Sequence, residues 1–180
     1  GKGIAILMAA GIKVRVGLLS EQAHALNPGF ILRMREQRPF VRLKMAASLD
    51  GRTALKNGES KWITGAAARS DVQVYRAQAN AILSTASTVI IDDASLNVRY
   101  SELGASQADY PLTQAESLFT HIKQPALRQP IRVVLDNHHR LDEYIDQSAT
   151  ELKLFTLPGQ ILLVNGVDSR GNGTERMING

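Results

Sequence analysis

Lys44 is the first residue whose type and place suit chemistry. It stands mid-way along Phe40–Ser48, which otherwise alternates like a half-buried strand, with Val41, Leu43, Met45 and Ala47 on one face. A buried ammonium is costly unless it is paired or faces a ligand. Lys44 is therefore either an electrostatic and proton-handling group or a strand-edge lysine in water. Asp92 is the second. It follows the apolar run Val89–Ile91, and an aspartate beyond the carboxyl end of a strand can accept hydrogen bonds from a ribose hydroxyl; the competing reading is a plain turn residue. Arg69, Arg76 and Arg99 form a third, cationic group. The first two are seven apart and share a helix face, and Arg99 lies in the loop after Asp92-Asp93. A guanidinium fork suits a phosphate; the alternative is three solvated arginines. Ser60 and Trp62 are the fourth: the single Trp beside a small hydroxyl can wall a planar-ring pocket, or can simply be core.

These groups need elements to hold them. Gly3–Ala10 reads as a short helix closed by Gly11, and Ile12–Val16 alternates as a strand. Ser20 is placed to cap a following helix with Glu21 in its first turn. Asn27-Pro28-Gly29 interrupts that helix, and Phe30–Arg35 is helical again. These pieces are too small for a domain, so residues 1–37 are expected to be the tail of an upstream domain with a linker. Residues 38–180 have a different character. Phe40–Ser48 is an expected strand, Leu49–Arg52 a tight turn and Lys61–Thr64 a short strand. Thr64 is expected to cap a helix over Gly65–Ala79, with Ala68, Val72, Tyr75 and Ala79 on its apolar face. Ala81–Leu83, Thr88–Ile91, Ile131–Leu135, Leu152–Thr156 and Gln160–Val164 are further expected strands, which predicts an α/β domain. Tyr100–Gln129 reads as a long surface excursion or lid, with a short helix at the capping-box pattern Thr113–Glu116. The glycine-rich stretch after Val164 has no core periodicity and reads as a loop or hairpin.

Composition narrows the function classes. The chain has 180 residues, 44% hydrophobic and 21% charged, which is a globular balance. A net charge of +4 is mild. No Lys/Arg-rich block stands out, and one Trp, four Tyr and four Phe are too few and scattered for a base-stacking platform, so no nucleic-acid partner is expected. The absence of Cys excludes a disulfide scaffold, a thiolate zinc site and a Cys nucleophile within this sequence. No apolar run reaches the ~18–20 residues of a membrane span and no signal-peptide pattern is present, so no membrane partner and a cytoplasmic location are expected. The opening Gly1-Lys2-Gly3 reads as an internal cut from something longer. His138 and His139 are neighbours that point to opposite sides of an extended chain, so no metal site is expected there. Neither a G-x-G-x-x-G fingerprint nor a P-loop is present.

Taken together, the signals form a specific pattern. It comprises Phe40-Val-Arg-Leu-Lys44-Met-Ala-Ala-Ser-Leu-Asp-Gly-Arg-Thr-Ala54, Gly58-Glu-Ser60-Lys-Trp62-Ile-Thr64, Ala68-Arg-Ser-Asp71 with Arg76, Thr88-Val-x2-Asp92-Asp with Leu96 and Arg99, and Gln129-Pro-Ile-Arg-Val-Val-Leu-Asp136. The pattern resembles the reductase domain of the bacterial bifunctional riboflavin biosynthesis deaminase/reductase. Ala10–Ile12 and Leu26-Asn27-x2-Phe30 resemble the end of its deaminase domain and the linker. The resemblance implies an α/β fold similar to dihydrofolate reductase, a mixed sheet flanked by helices, cut short at the C-terminal end. It implies NADPH-dependent reduction of the ribosyl group of 5-amino-6-(5-phosphoribosylamino)uracil to ribityl. By resemblance, Ser60, Arg76, Leu96 and Arg99 bind substrate, and Ala46, Trp62, Thr88, Asp92 and Asn137 lie near NADPH. Lys44 and Asp92 would act on the opening ribose. A homodimer is implied as well. The zinc-binding His-x-Glu and paired cysteines of the deaminase half are absent, so zinc belongs to a domain not present here. The family's glycine-rich cofactor loop, preceded by a Glu, is not found after Val164. The rival readings are a stand-alone reductase for another pteridine or pyrimidine, and a non-catalytic nucleotide- or RNA-binding module.

Overall fold

A computed structural model describes residues 1–109, 115–116, 123–124, 126–146, 152–167 and 173–179. The chain divides into two compact units, Gly1–Ala46 and Ala47–Gly180.

The first unit holds three helices, α1 (Lys2–Ala9), α2 (Ser20–Leu26) and α3 (Pro28–Glu36). Proline suits the start of α3, because a first-turn N–H has no intrahelical acceptor to lose. Gln37 ends that helix in the left-handed region at φ 56°. Ser20 does not cap α2: it is the first helical residue, and Leu19 occupies the cap position with no side-chain hydrogen bond. The strands expected over Ile12–Val16 and Phe40–Ser48 are absent, and Phe40–Ala46 forms no regular element. A strand needs a ladder for its N–H and C=O groups, and the described part of this unit contains no strand to pair with. The alternating side chains Val41, Leu43 and Met45 are accordingly exposed.

The second unit begins with α4 (Ala66–Gln78), β1 (Ala81–Thr85) and α5 (Ala86–Asp92). Two 3-10 turns follow, Tyr100–Glu102 and Gly104–Asp109, and then a two-residue ladder of β2 (Ala115–Glu116) with β3 (Lys123–Gln124). It closes with β4 (Ile131–Leu135), α6 (Asp142–Asp146), α7 (Lys153–Thr156), β5 (Gln160–Val167) and β6 (Gly173–Asn179). Of the capping-box pattern, Thr113 lies outside the described residues and Glu116 falls in β2. The main sheet has the order β1-β4-β5-β6, the first three strands parallel and β6 antiparallel. Thr85 pairs with Leu135, and Leu135 with Val164, so the carboxyl ends of the parallel strands lie level. Val134, Ile161 and Leu163 pack with Ala86, Val89, Leu96, Leu141, Leu152 and Leu154. Each Val, Leu or Ile side chain taken fully out of water contributes about 1.5–3 kcal/mol.

Three expectations for this unit are corrected. Thr88–Ile91 is not a strand but the body of α5. Ala86, Val89 and Ile90 sit at helical spacing and pack on the core, Ile91 faces water, and the Thr85 hydroxyl caps the helix by accepting from the Thr88 N–H at 3.4 Å. A short apolar run carries no period strong enough to separate helix from strand. Leu152–Thr156 is not a strand: Lys153–Thr156 forms one helical turn behind Leu152, whose carbonyl accepts the Phe155 and Thr156 N–H groups at 3.0 and 3.3 Å, and the Leu154 carbonyl accepts from the buried guanidinium of Arg132 at 2.7 Å. Lys61–Thr64 is a turn, and Gly65, not Thr64, holds the N-cap position of α4.

Candidate active site

The inward side of α4 is polar. Gln73 is buried, Arg69 and Arg76 are half-buried on the same face, and Ala68 and Tyr75 of the expected apolar face are exposed. Helix α4 buries that face because each polar group finds a partner. Arg69 Nη1 donates to the Thr64 carbonyl at 2.6 Å and its guanidinium lies over the Trp62 ring, 4.5 Å from the centroid. Arg76 Nη1 donates to the Asn97 carbonyl at 2.8 Å. Gln73 accepts from the Arg99 N–H at 3.0 Å and donates to Glu102 at 3.1 Å.

The loop that follows α5 supplies the opposing wall. Asp93 and Leu96 take left-handed backbone at φ 50° and 56°, which turns the chain sharply after the helix. Leu96 is buried in the core, and this anchors the loop. Gln129 clamps its far end, accepting from the Val98 N–H at 2.8 Å and donating to the Val98 carbonyl at 3.1 Å. Arg99 is then gripped by Glu102 in a two-pronged ion pair, Nε to Oε1 at 2.6 Å and Nη2 to Oε2 at 2.8 Å. Burial lowers the pKa of Arg76; the charge of Arg99 lowers it further, and Glu102 works the other way. The hydrogen bond from Arg99 holds the Glu102 carboxyl below the usual glutamate range. Two guanidinium groups and one carboxylate thus share a half-buried spot and carry a net positive charge. The Asn97 Oδ1 atom, buried with no hydrogen-bond partner, is an acceptor left over in the same loop.

Two further candidates follow the carboxyl ends of the parallel strands in the chain, Thr88 after β1 and Asn137 after β4. Thr88 stands in the first turn of α5, and Asp92 lies four residues further along the same helix face. Asp92 therefore closes a helix and not a strand, and it is exposed. Its neighbour Asp93 is engaged by Lys153, through the side chain at 2.6 Å and the backbone N–H at 2.8 Å. Asn137 lies two residues past β4 and presses on β5: a Cβ on Gly166 would meet the Asn137 carbonyl oxygen at 3.3 Å. Beside it, Asn165 Nδ2 contacts His139 Nδ1 at 2.9 Å, while Asn165 Oδ1 is buried without a partner. Ser60 is half-buried after the turn at Leu55–Glu59, and Trp62 is largely exposed. Lys44 and Ala46 belong to the first unit, Lys44 exposed and Ala46 half-buried.

Among the substrate candidates, then, Arg76, Leu96 and Arg99 come together on one wall. Thr88 and Asn137 each follow a strand end. Sequence reasoning missed Gln73, Asn97, Glu102 and Gln129. The signal for Gln73 was its place on the Arg69–Arg76 face, and that for Glu102 its spacing three residues after Arg99. Nothing local marks Gln129.

The structure of RibD from Acinetobacter baumannii, form 1, matches with a TM-score of 0.68 at 40% identity, over 94% of this chain and 41% of that one. A diaminohydroxyphosphoribosylaminopyrimidine deaminase/5-amino-6-(5-phosphoribosylamino)uracil reductase from Thermotoga maritima matches with a TM-score of 0.68 at 29% identity, over 94% of this chain and 40% of that one. The fold is thus an α/β domain of the dihydrofolate-reductase-like class, a mixed sheet flanked by helices. In sequence, the riboflavin biosynthesis protein RibD of Haemophilus influenzae is 55% identical over 141 residues, 78% of this chain and 35% of the relative. That of Escherichia coli is 49% identical over 142 residues, again 78% and 35%. The family model described as the RibD C-terminal domain matches residues 39–166, and the chain belongs to that family. It spans about a third of the length of these curated relatives.

Proposed function

We propose that this chain is the reductase part of a riboflavin biosynthesis enzyme. In this reading it binds 5-amino-6-(5-phosphoribosylamino)uracil and NADPH, and reduces the ribosyl group to ribityl. The observation that carries the reading is the pairing of half-buried Arg76 of α4 with half-buried Arg99 of the facing loop, with guanidinium N–H groups to spare after their internal bonds. A sugar 5-phosphate is the ligand such a pair suits, because two forks can share its oxygens and its charge offsets theirs. The unpartnered Asn97 Oδ1 beside them suits a hydroxyl or amine donor of the same ligand. Ser60 and Leu96 complete the substrate contacts by resemblance.

The strand ends fit a dinucleotide. Open α/β sheets bind ligands beyond the carboxyl ends of their strands, and Asn165 Oδ1 is a buried acceptor there that lacks a donor. By resemblance alone, Thr88, Asp92, Asn137, Trp62 and Ala46 would hold NADPH, which when bound supplies a hydride to C1′ of the opened sugar. Reduction also needs a proton on the adjoining nitrogen, and Lys44, which the resemblance puts close to the opening ribose, is given an electrostatic or proton-handling role there. Asp92 orients the ribose through its carboxylate. The domain boundary is drawn at 37/38, supported by a family match that starts at residue 39. A deaminase carrying its own zinc and a homodimer belong to the same reading by resemblance, and a cytoplasmic location is proposed with it. Among the described residues no helix is long and apolar enough to cross a membrane.

The test is NADPH oxidation by the intact enzyme. Oxidation should depend on the phosphoribosylaminouracil, and Arg76→Gln or Arg99→Gln should raise KM for that substrate while leaving KM for NADPH near its starting value. Lys44→Met should lower kcat much more than it weakens NADPH binding. No substrate-dependent oxidation, together with salt-sensitive binding of polyanions, would replace this reading with that of a nucleic-acid-binding module.

A further inference from the structure

We infer that Glu102 is the positioning residue of the phosphate site, holding the Arg99 guanidinium so that its unbonded Nη edge is the one offered to the ligand. The inference rests on the phosphate reading of Arg76 and Arg99 given above. Glu102 takes Nε and Nη2 of Arg99 with both carboxylate oxygens. That leaves both N–H groups of Nη1 and the second one of Nη2, all at the end of the side chain. Glu102 is itself held. Gln73, buried in α4, donates to its Oε2 and also accepts the Arg99 backbone N–H. The ring of Gln73, Arg99 and Glu102 therefore ties the guanidinium to a helix as well as to its own loop.

The need for such a tie follows from charge. Arg76 is anchored by the Asn97 carbonyl, and Arg99 lies close enough for its charge to depress the Arg76 pKa. Two cations so placed repel each other when no phosphate separates them, and a free Arg99 would swing out into water at the cost of about four rotatable bonds of order on binding. Glu102 removes that penalty before the ligand arrives. It also lowers the positive charge of the site, so the carboxylate acts on a phosphate in two opposite ways. If orientation dominates, losing Glu102 weakens phosphate recognition; if charge dominates, losing it strengthens recognition. The two close charged contacts and the Gln73 brace favour orientation.

The experiment compares Glu102→Ala and Glu102→Gln with the parent in the intact enzyme, using the phosphorylated substrate, its 5′-hydroxyl analogue and inorganic phosphate as a competitive inhibitor. Expected for Glu102→Ala is a loss of about tenfold in kcat/KM for the phosphorylated substrate, carried by KM. Its preference over the hydroxyl analogue should fall by a similar factor, and the inhibition constant for phosphate should rise in parallel. Glu102→Gln keeps one acceptor oxygen and should lie between. If Glu102→Ala does not fold, judged by its unfolding transition, the glutamine variant carries the comparison. Equal losses on both substrates would make Glu102 merely structural, and an unchanged or increased preference for the phosphorylated substrate would make it a charge neutraliser; either overturns the inference. A parent enzyme with no preference between the two substrates overturns the phosphate reading itself.

Discussion

Arg132 offers a stability test in which two large effects oppose each other. It lies in β4 at 1% exposure. Nη1 donates to the Leu154 carbonyl at 2.7 Å, and Nη2 donates to the carbonyls of Leu157 and Gly159 at 3.1 and 2.8 Å. Burial pulls its pKa below the usual guanidinium value. Replacing a buried ion pair by apolar side chains of similar volume is often neutral or stabilising, by about 1–4 kcal/mol, because desolvation is relieved. That rule assumes the partners are replaced too. Here the partners are three backbone carbonyls that no side-chain substitution removes. Each is left short of a charged donor worth about 1.5–3 kcal/mol, and relief of desolvation cancels part of that sum. For Arg132→Met the balance is a net loss of about 3 kcal/mol. Lysine, a point charge on a flexible stem, cannot reach all three acceptors at once, so Arg132→Lys should lose roughly half as much. Urea unfolding at neutral pH measures both, with the m value expected to stay constant. A methionine variant as stable as the parent, or more so, would show that desolvation outweighs the three hydrogen bonds and would refute the reasoning.

Other outcomes follow from the same contacts. Gly159→Ala should cost about 1–2 kcal/mol in the same urea assay, since φ is +128° there and the new Cβ would stand 3.4 Å from Arg132 Nη2. Leu163→Ala, at a site with no exposure, should cost about 2–5 kcal/mol, read from the shift in unfolding midpoint. Stability should fall in acid. Glu102 is held low by hydrogen bonding from Arg99, and Asp93 by hydrogen bonding from Lys153, so their contributions are complete above the unfolded values near about 4 and are lost as pH drops through the folded ones. Thermal unfolding between neutral pH and pH ~3 checks this, and a Glu102→Gln/Asp93→Asn variant should show a flatter acid limb.

Much of the architecture was legible in the letters. Ala81–Leu83, Ile131–Leu135 and Gln160–Val164 form strands where their β-branched and aliphatic runs predict them, and residues 66–78 are helical. The strand runs are marked by the turn residues that bound them, and only the helix is long enough for its period to register. The pairing of Arg69 and Arg76 on one face was also legible, because helix geometry sets it without reference to anything else. Thr88–Ile91 and Leu152–Thr156 were not. Runs of four or five residues with three apolar ones satisfy either period, and the choice fell to contacts elsewhere: the Thr85 cap and the core under Val89 in one case, Arg132 in the other. The expected apolar face of α4 failed for a related reason. Gln73 outranks Val72 and Tyr75 in burial because partners 26 and 29 residues away satisfy both ends of its amide.

By itself, then, the amino-acid order determined which chemical groups this domain owns and which of them travel together on one helix or strand end. It could not determine that Gln73 braces Glu102 from 29 residues away, that Gln129 closes the same loop from 31 residues away, or that Arg132 is spent on backbone carbonyls and not on a ligand. Those facts depend on which distant donors and acceptors the folded sheet brings within about 3 Å, a distance that no local period encodes.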